Sequence, residues 1–322
     1  MGNIASSIVD SDAGMRIWGW FPVSLKGRIA RKASLFRLLE GAKRYQGLKK
    51  VGNQEIDRRI VELLKTYRLD PFETLVTLFE ARSLISGSGA LWVLKPDLFQ
   101  PGDLDFYVPE RGFPRLRLLL IRSAGWRLLG DHELHIIGKK PMPEYCELPF
   151  VSAIWFFYNN TAKKVINVIE TVDPTPFPAI LQFHSTVVMN VISYFGVVSL
   201  YQEPTTKRVG WVNFQGRPRP RDVEWMEKYK GRGYGVYKDS KLGGLLGSHR
   251  CGHDVNCAQT ERSLFDEGVG VGLLTGYEGM NVRMLLESIE PEFTWRLHNS
   301  RCFKRSPGGG GWVRIEEGCF SL

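Results

Sequence analysis

No other stretch of this chain restricts its folding as much as Ser83 to Val108. The first half, Ser83-Leu84-Ile85-Ser86-Gly87-Ser88-Gly89-Ala90-Leu91, reads as a short strand that ends in a small-residue turn and opens a helix. Small residues let the backbone come close to a ligand, and the N–H groups at a helix start favour an anion. The second half, Gly102-Asp103-Leu104-Asp105-Phe106-Tyr107-Val108, reads as a strand in which two acids alternate with apolar residues. A strand repeats every two residues, so both carboxylates stand side by side on one face. Acids held that close repel each other, and a cation between them removes the repulsion. A Mg2+ pair bridging nucleotide phosphates is a common way to do so.

Gly87-Ser88 followed by Asp103-Leu104-Asp105 resembles the signature of the nucleotidyltransferase superfamily, the polymerase-beta-like fold. The order helix, strand, Gly-Ser turn, loop, Asp-x-Asp strand and helix is similar as well, and the resemblance spans Asp70 to Ser193. It implies that Gly87, Ser88 and Gly89 hold a triphosphate, and that Asp103 and Asp105 bind Mg2+ in a two-ion site. The implied activity is nucleotidyl transfer from a nucleoside triphosphate to a hydroxyl acceptor, whether RNA, protein or small molecule. The family commonly adds a third carboxylate from a later strand, here Val165-Ile166-Asn167-Val168-Ile169-Glu170, whose middle position is Asn167. An amide can ligate a metal through oxygen but brings no charge and accepts no proton. Glu170 is the expected substitute as third ligand or base. The readings that stay open are a degenerate domain acting as a nucleotide-binding or interaction module, an RNA-binding protein, and a plain turn beside a surface acidic pair.

With 322 residues and 43% hydrophobic content the chain can bury a substantial core. No apolar run is long enough to span a bilayer, and no secretory signal is visible. Five scattered cysteines fit a reducing compartment better than a disulfide framework, so an intracellular, cytoplasmic location is expected. The net charge of +9 is uneven. Residues 26–50 carry nine Lys and Arg against Glu40 alone, and residues 207–250 carry eleven against four acids. Two basic islands on an otherwise acidic chain imply anionic partners: phosphate, nucleic acid or lipid headgroups.

The fold expected is α+β, a nucleotidyltransferase-like mixed sheet flanked by helices, in three parts. Residues 1–50 form a basic amphipathic arm. Met1-Gly2-Asn3-Ile4-Ala5-Ser6 matches the pattern for N-myristoylation on Gly2, and Trp18, Trp20 and Phe21 suit a membrane interface. From Ser24, Leu25, Ile29, Ala33 and Phe36 recur at helical spacing, a face for a membrane surface or for the chain's own core. Residues 51–203 form the nucleotidyltransferase-like domain. Its expected elements are a helix capped by Asn53, a helix capped by Asp70 with Leu75, Leu78 and Phe79 buried, a helix over Pro114–Ser123, strands at Trp126–Leu129 and Leu134–Ile137, a hairpin pairing Ile154–Tyr158 with Val165–Ile169, a helix over Pro178–Ser193 and a strand at Gly196–Tyr201. His184, Ser185 and Asn190 are weak candidates for the nucleotide pocket.

Residues 204–322 form a basic, Gly-rich extension. Lys230-Gly231-Arg232-Gly233-Tyr234 interleaves the cations and aromatics that can bind single-stranded nucleic acid, though a solvated loop has the same composition. His249, Cys251, His253 and Cys257 fall within ten positions and are ligand types that zinc favours, at a spacing unlike a common finger.

Overall fold

The computed structural model describes residues 23–44, 46–96, 98–139, 149–213, 220–238, 249–291, 293–298, 312–315 and 318–321. Gly2, Trp18, Trp20 and Phe21 lie outside the described residues. The chain divides into two compact units that interleave in sequence. The first comprises Met1–Pro176, Val191–Val198 and Val271–Gly279, and the second Phe177–Asn190, Ser199–Gly270 and Met280–Leu322.

In the first unit, helices α1 (Val23–Lys32) and α2 (Leu35–Arg44) bury Ile29, Leu35, Phe36 and Leu38, and Ala33 is buried in the link between them. Helix α3 (Gln46–Thr66) buries Ile56, Ile60, Leu63 and Leu64, a stripe at helical spacing. It begins well before Asn53, which is therefore an interior residue rather than a cap; its amide donates to Glu278 Oε1 at 2.5 Å. One fully buried side chain links these helices. Arg59 donates to the carbonyls of Ala30, Ala33, Val93 and Leu94 and pairs with Glu55 at 2.8 Å. Those carbonyls include the last turns of two helices, where backbone acceptors lack intrahelical partners.

Helix α4 (Pro71–Glu80) starts as its sequence requires: Asp70 accepts the N–H of Glu73 at 2.9 Å and Pro71 occupies the first turn. Leu78 is buried, but Phe79 is 58% exposed and rests edge-on against Tyr194, so the expected stripe is narrower. Strand β1 (Leu84–Ser86) leads into α5 (Gly87–Leu94), every residue of which is buried. Then come β2 (Asp103–Pro109), α6 (Phe113–Arg122), β3 (Trp126–Leu128), β4 (Val151–Asn159) and β5 (Lys164–Thr171). Strands β6 (Asn190–Ser193), β7 (Gly196–Ser199) and β8 (Gly270–Leu273) complete an eight-stranded sheet in the order β8-β7-β6-β1-β2-β5-β4-β3. It is mixed: β2 and β5 run parallel, whereas β1 with β2, β4 with β5 and β3 with β4 run antiparallel. Helices flank this sheet, an α+β architecture.

The alternation along β2 and β5 sorts the two faces. Leu104, Phe106 and Val108, with Ile166 and Val168 beside them, are fully buried in one cluster with α3, α5 and α6 side chains. Asp103, Asp105 and Tyr107, with Val165, Asn167 and Ile169 beside them, take the other face.

Two expected elements differ. Asp131–Ile137 is a 3-10 helix ended by left-handed Gly138, not a strand; Glu133 accepts the N–H of Gly130, a local cap that outcompetes extension. The segment expected as a helix over Pro178–Ser193 instead holds a short α7 (Phe177–Ile180), a 3-10 turn at Thr186–Val188 and strand β6. Val191 and Ile192 are β-branched, which favours the extended backbone of β6, and Ser185 accepts the N–H of Val187 to start the 3-10 turn.

The second unit also contains α8 (Gln202–Thr206), α9 (Pro220–Gly231) and α10 (Val282–Ile289). Strands Val209–Trp211 and Gly235–Tyr237 pair in parallel. Strands Arg262–Ser263, Phe293–Trp295, Trp312–Ile315 and Gly318–Ser321 form an antiparallel sheet. Buried Arg262 chelates Asp266 and lies over the ring of Tyr201 at 4.7 Å. Among the described residues no helix is long and apolar enough to cross a membrane.

Candidate functional site

The register builds the site. Antiparallel pairing sets Ser86, the last residue of β1, opposite Asp105. The chain then turns through Gly87, whose φ of +68° lies in the left-handed region, and enters α5. A Cβ at Gly87 would stand 2.6 Å from Asp105 Oδ2. Only glycine combines that dihedral with so close an approach. The small-residue bend and the second aspartate therefore lie against each other. A Cβ at Gly89 would meet Leu104 Cδ1 at 2.7 Å, on the core side of β2. Ser88 is 4% exposed, and its hydroxyl has no hydrogen-bond partner.

Parallel pairing of β2 with β5 sets Asn167 beside Asp105. The Asn167 amide nitrogen donates to Asp105 Oδ1 at 2.7 Å and to Asp103 Oδ2 at 3.2 Å. One side chain thus links both carboxylates and offsets their repulsion with its positive dipole end. Its carbonyl, Oδ1, is buried and unpartnered. Asp103 and Asp105 are themselves half-buried.

Glu170 does not join them. It lies opposite Val108, three residues beyond Asn167, and so on the opposite face from Asp103 and Asp105. There its carboxylate accepts the indole N–H of Trp155 at 2.8 Å, and Trp155 stacks on Phe113 with ring centroids 5.1 Å apart. Its expected role as third ligand or base fails on register: an odd offset along a strand inverts the side chain.

Tyr67 was not predicted to bear on this site. Its hydroxyl donates to Pro101 O at 3.0 Å, and Lys164 Nζ donates to the same carbonyl at 3.3 Å while lying over the Tyr67 ring at 5.2 Å. The pair anchors the bridge just before Asp103. Burial, then the negative charges of Asp103 and Asp105, push the Tyr67 hydroxyl well above its ordinary pKa. Tyr67 therefore stays protonated as a donor.

The other candidates are structural. Ser185 caps the 3-10 turn, and Asn190 donates to Val187 O while accepting from Ser199. Half-buried His184 lies against Trp225, with ring centroids 3.6 Å apart and planes tilted by 33°. Tyr234, expected as a nucleic-acid stacking residue, is 2% exposed and packs edge-on against Tyr229, so its ring is not offered to a base. Of the four candidate zinc ligands, His249, Cys251 and Cys257 converge and His253 is exposed.

Comparisons with known protein families, with curated proteins and with solved structures return no match for this chain.

Proposed function

We propose that the first unit binds a nucleoside triphosphate with Mg2+ at the Ser86–Gly89 bend and the Asp103–Asp105 pair, and transfers its nucleotidyl group to a hydroxyl acceptor. The observation that carries this reading is the contact between Gly87 and Asp105: the anion-favouring bend and the cation-favouring acids meet at one point. The donor set suits a hard cation. Asp103 and Asp105 supply oxygens, and a half-turn of the Asn167 amide brings its orphaned Oδ1 to the same place. With Glu170 on the opposite face, these oxygens fit one ion better than two. When bound, Mg2+ would neutralise phosphate charge and aid departure of pyrophosphate.

The chain's own groups then divide the work. Backbone N–H groups at Gly87–Gly89 and the Ser88 hydroxyl hold the terminal phosphates. The acceptor oxygen bonds to the α-phosphorus as the bond to pyrophosphate breaks, and the hydroxyl proton leaves to water, since Asn167 accepts none.

Binding without turnover is the second reading, and Asn167 favours it, because an amide stands where a base would stand. Calorimetry with each triphosphate, with and without Mg2+, followed by an assay for pyrophosphate release, tests both. Metal-dependent binding that Asp103→Ala abolishes supports the site, and pyrophosphate release adds catalysis. Absence of triphosphate binding under all conditions sinks both readings.

A further inference from the structure

We propose that His249, Cys251 and Cys257 of the second unit hold one zinc ion, independently of the Asp103–Asp105 site. Their ligand atoms all lie within 4.8 Å of one another. The two sulfurs are 3.8 Å apart. A disulfide needs about 2.05 Å, whereas two zinc–sulfur bonds of about 2.3 Å at the tetrahedral angle set the sulfurs about 3.8 Å apart. Two thiols in contact reach the same separation, so the sulfurs alone do not decide. The histidine does: an imidazole nitrogen converging on a thiol pair completes three donors of the kind zinc selects.

The surrounding loop holds these donors in place. Asp254 Oδ1 accepts the N–H of Asn256 at 2.8 Å, its carbonyl accepts the Thr260 hydroxyl at 2.6 Å, and Cys257 N donates back to Asp254 O at 2.8 Å. Arg262, fixed by Asp266, donates to Val255 O at 2.9 Å. Cys257 therefore sits buried on a turn fixed by its own backbone and by the side chains of Asp254, Thr260 and Arg262, with Cys251 and His249 partly open for a metal to enter. Thiolate and imidazole ligands choose zinc over Mg2+ or Ca2+, which prefer oxygen. Among the described residues no fourth His, Cys, Asp or Glu joins the trio. His253, exposed on the same loop, stays outside the set.

The test uses the full chain, reduced and loaded with Zn2+, then with Co2+ as a spectroscopic stand-in. One equivalent of zinc is expected, with a thiolate-to-cobalt charge-transfer band and tetrahedral d–d absorption. C251S and H249A, at partly open positions where folding is least at risk, should each weaken zinc binding by about tenfold or more. H253A should leave stoichiometry and spectrum unchanged. Circular dichroism of each variant verifies folding, so a lost metal is not mistaken for a lost fold. The proposal is overturned if the reduced chain takes up no zinc, if C251S and H249A bind it as tightly as the parent, or if H253A abolishes it.

Discussion

Asn167 donates its side-chain N–H to Asp105 across the parallel β2–β5 ladder, 2.7 Å from nitrogen to oxygen. The same nitrogen reaches Asp103, so the acid pair has an internal neutral partner. A cation at this site would exchange one amide hydrogen-bonding arrangement for another. Any response to metal would then depend on residue 167.

Asn167→Asp puts a third carboxylate beside the pair. Without metal it replaces two hydrogen bonds by like-charge repulsion and should destabilise the fold by about 1–3 kcal/mol. Saturating Mg2+ should close most of that gap, because three acids now share a cation. Denaturant midpoints with and without Mg2+ read both effects. A variant as unstable with Mg2+ as without it would count against cation binding by these acids.

Gly87→Ala forces a Cβ to within 2.6 Å of Asp105 Oδ2 at a left-handed position. The backbone alone costs about 1–2 kcal/mol, and displacement of the carboxylate adds to it. Gly102→Ala is the control. Nothing lies within 4 Å of a Cβ there, and its stability should stay within about 0.5 kcal/mol of the parent. Urea midpoints compare the two, and a loss at Gly87→Ala no larger than the backbone cost would mean that the bend and Asp105 are not in contact.

These two residues also show what could be read without coordinates. Small residues at 86–89 and alternating acids at 103 and 105 announce themselves by type and period, so the bend, strand β2 and its charged face were legible. The partner of Asp105 was not. Whether Asn167 or Glu170 faces the pair depends on the β2–β5 register, a long-range relation that no local pattern encodes. The helix expected over Pro178–Ser193 failed for a related reason: an apolar run fits a buried strand as well as a helix, and pairing of Ile192 with Ile85 decided it. Nor does sequence spacing show that His249 meets Cys251 and Cys257 while His253 does not, since loop turns carry no period.

Arg59→Lys keeps the charge and removes the fork. Arg59 donates to four carbonyls as well as to Glu55, and an ammonium has three donors on one centre. Unsatisfied buried carbonyls should lower stability by about 3 kcal/mol or more. The arm helices should loosen first, as faster amide exchange in α1 and α2 than in β2 and β5. Uniform exchange rates across these elements would show that Arg59 does not tie the arm to its unit.

His184→Phe tests the neutral imidazole beside Trp225. Burial pushes the His184 pKa down to about 3 from an ordinary 6.5, with Asp222 opposing the shift and Lys228 assisting it. Nε2 is buried without a hydrogen-bond partner, so protonation there is strongly disfavoured. Between those two values the unfolded chain binds a proton that the folded chain refuses. Stability from this residue is thus complete above pH 6.5 and falls as the pH drops towards 3, by at most about 1.4 kcal/mol per pH unit. His298, also lowered by burial, contributes with the same sign and remains in the variant. Unfolding free energies measured across that window should show a shallower acid slope for His184→Phe than for the parent. Superimposable slopes would mean that His184 titrates alike in both states and is not held neutral by its surroundings.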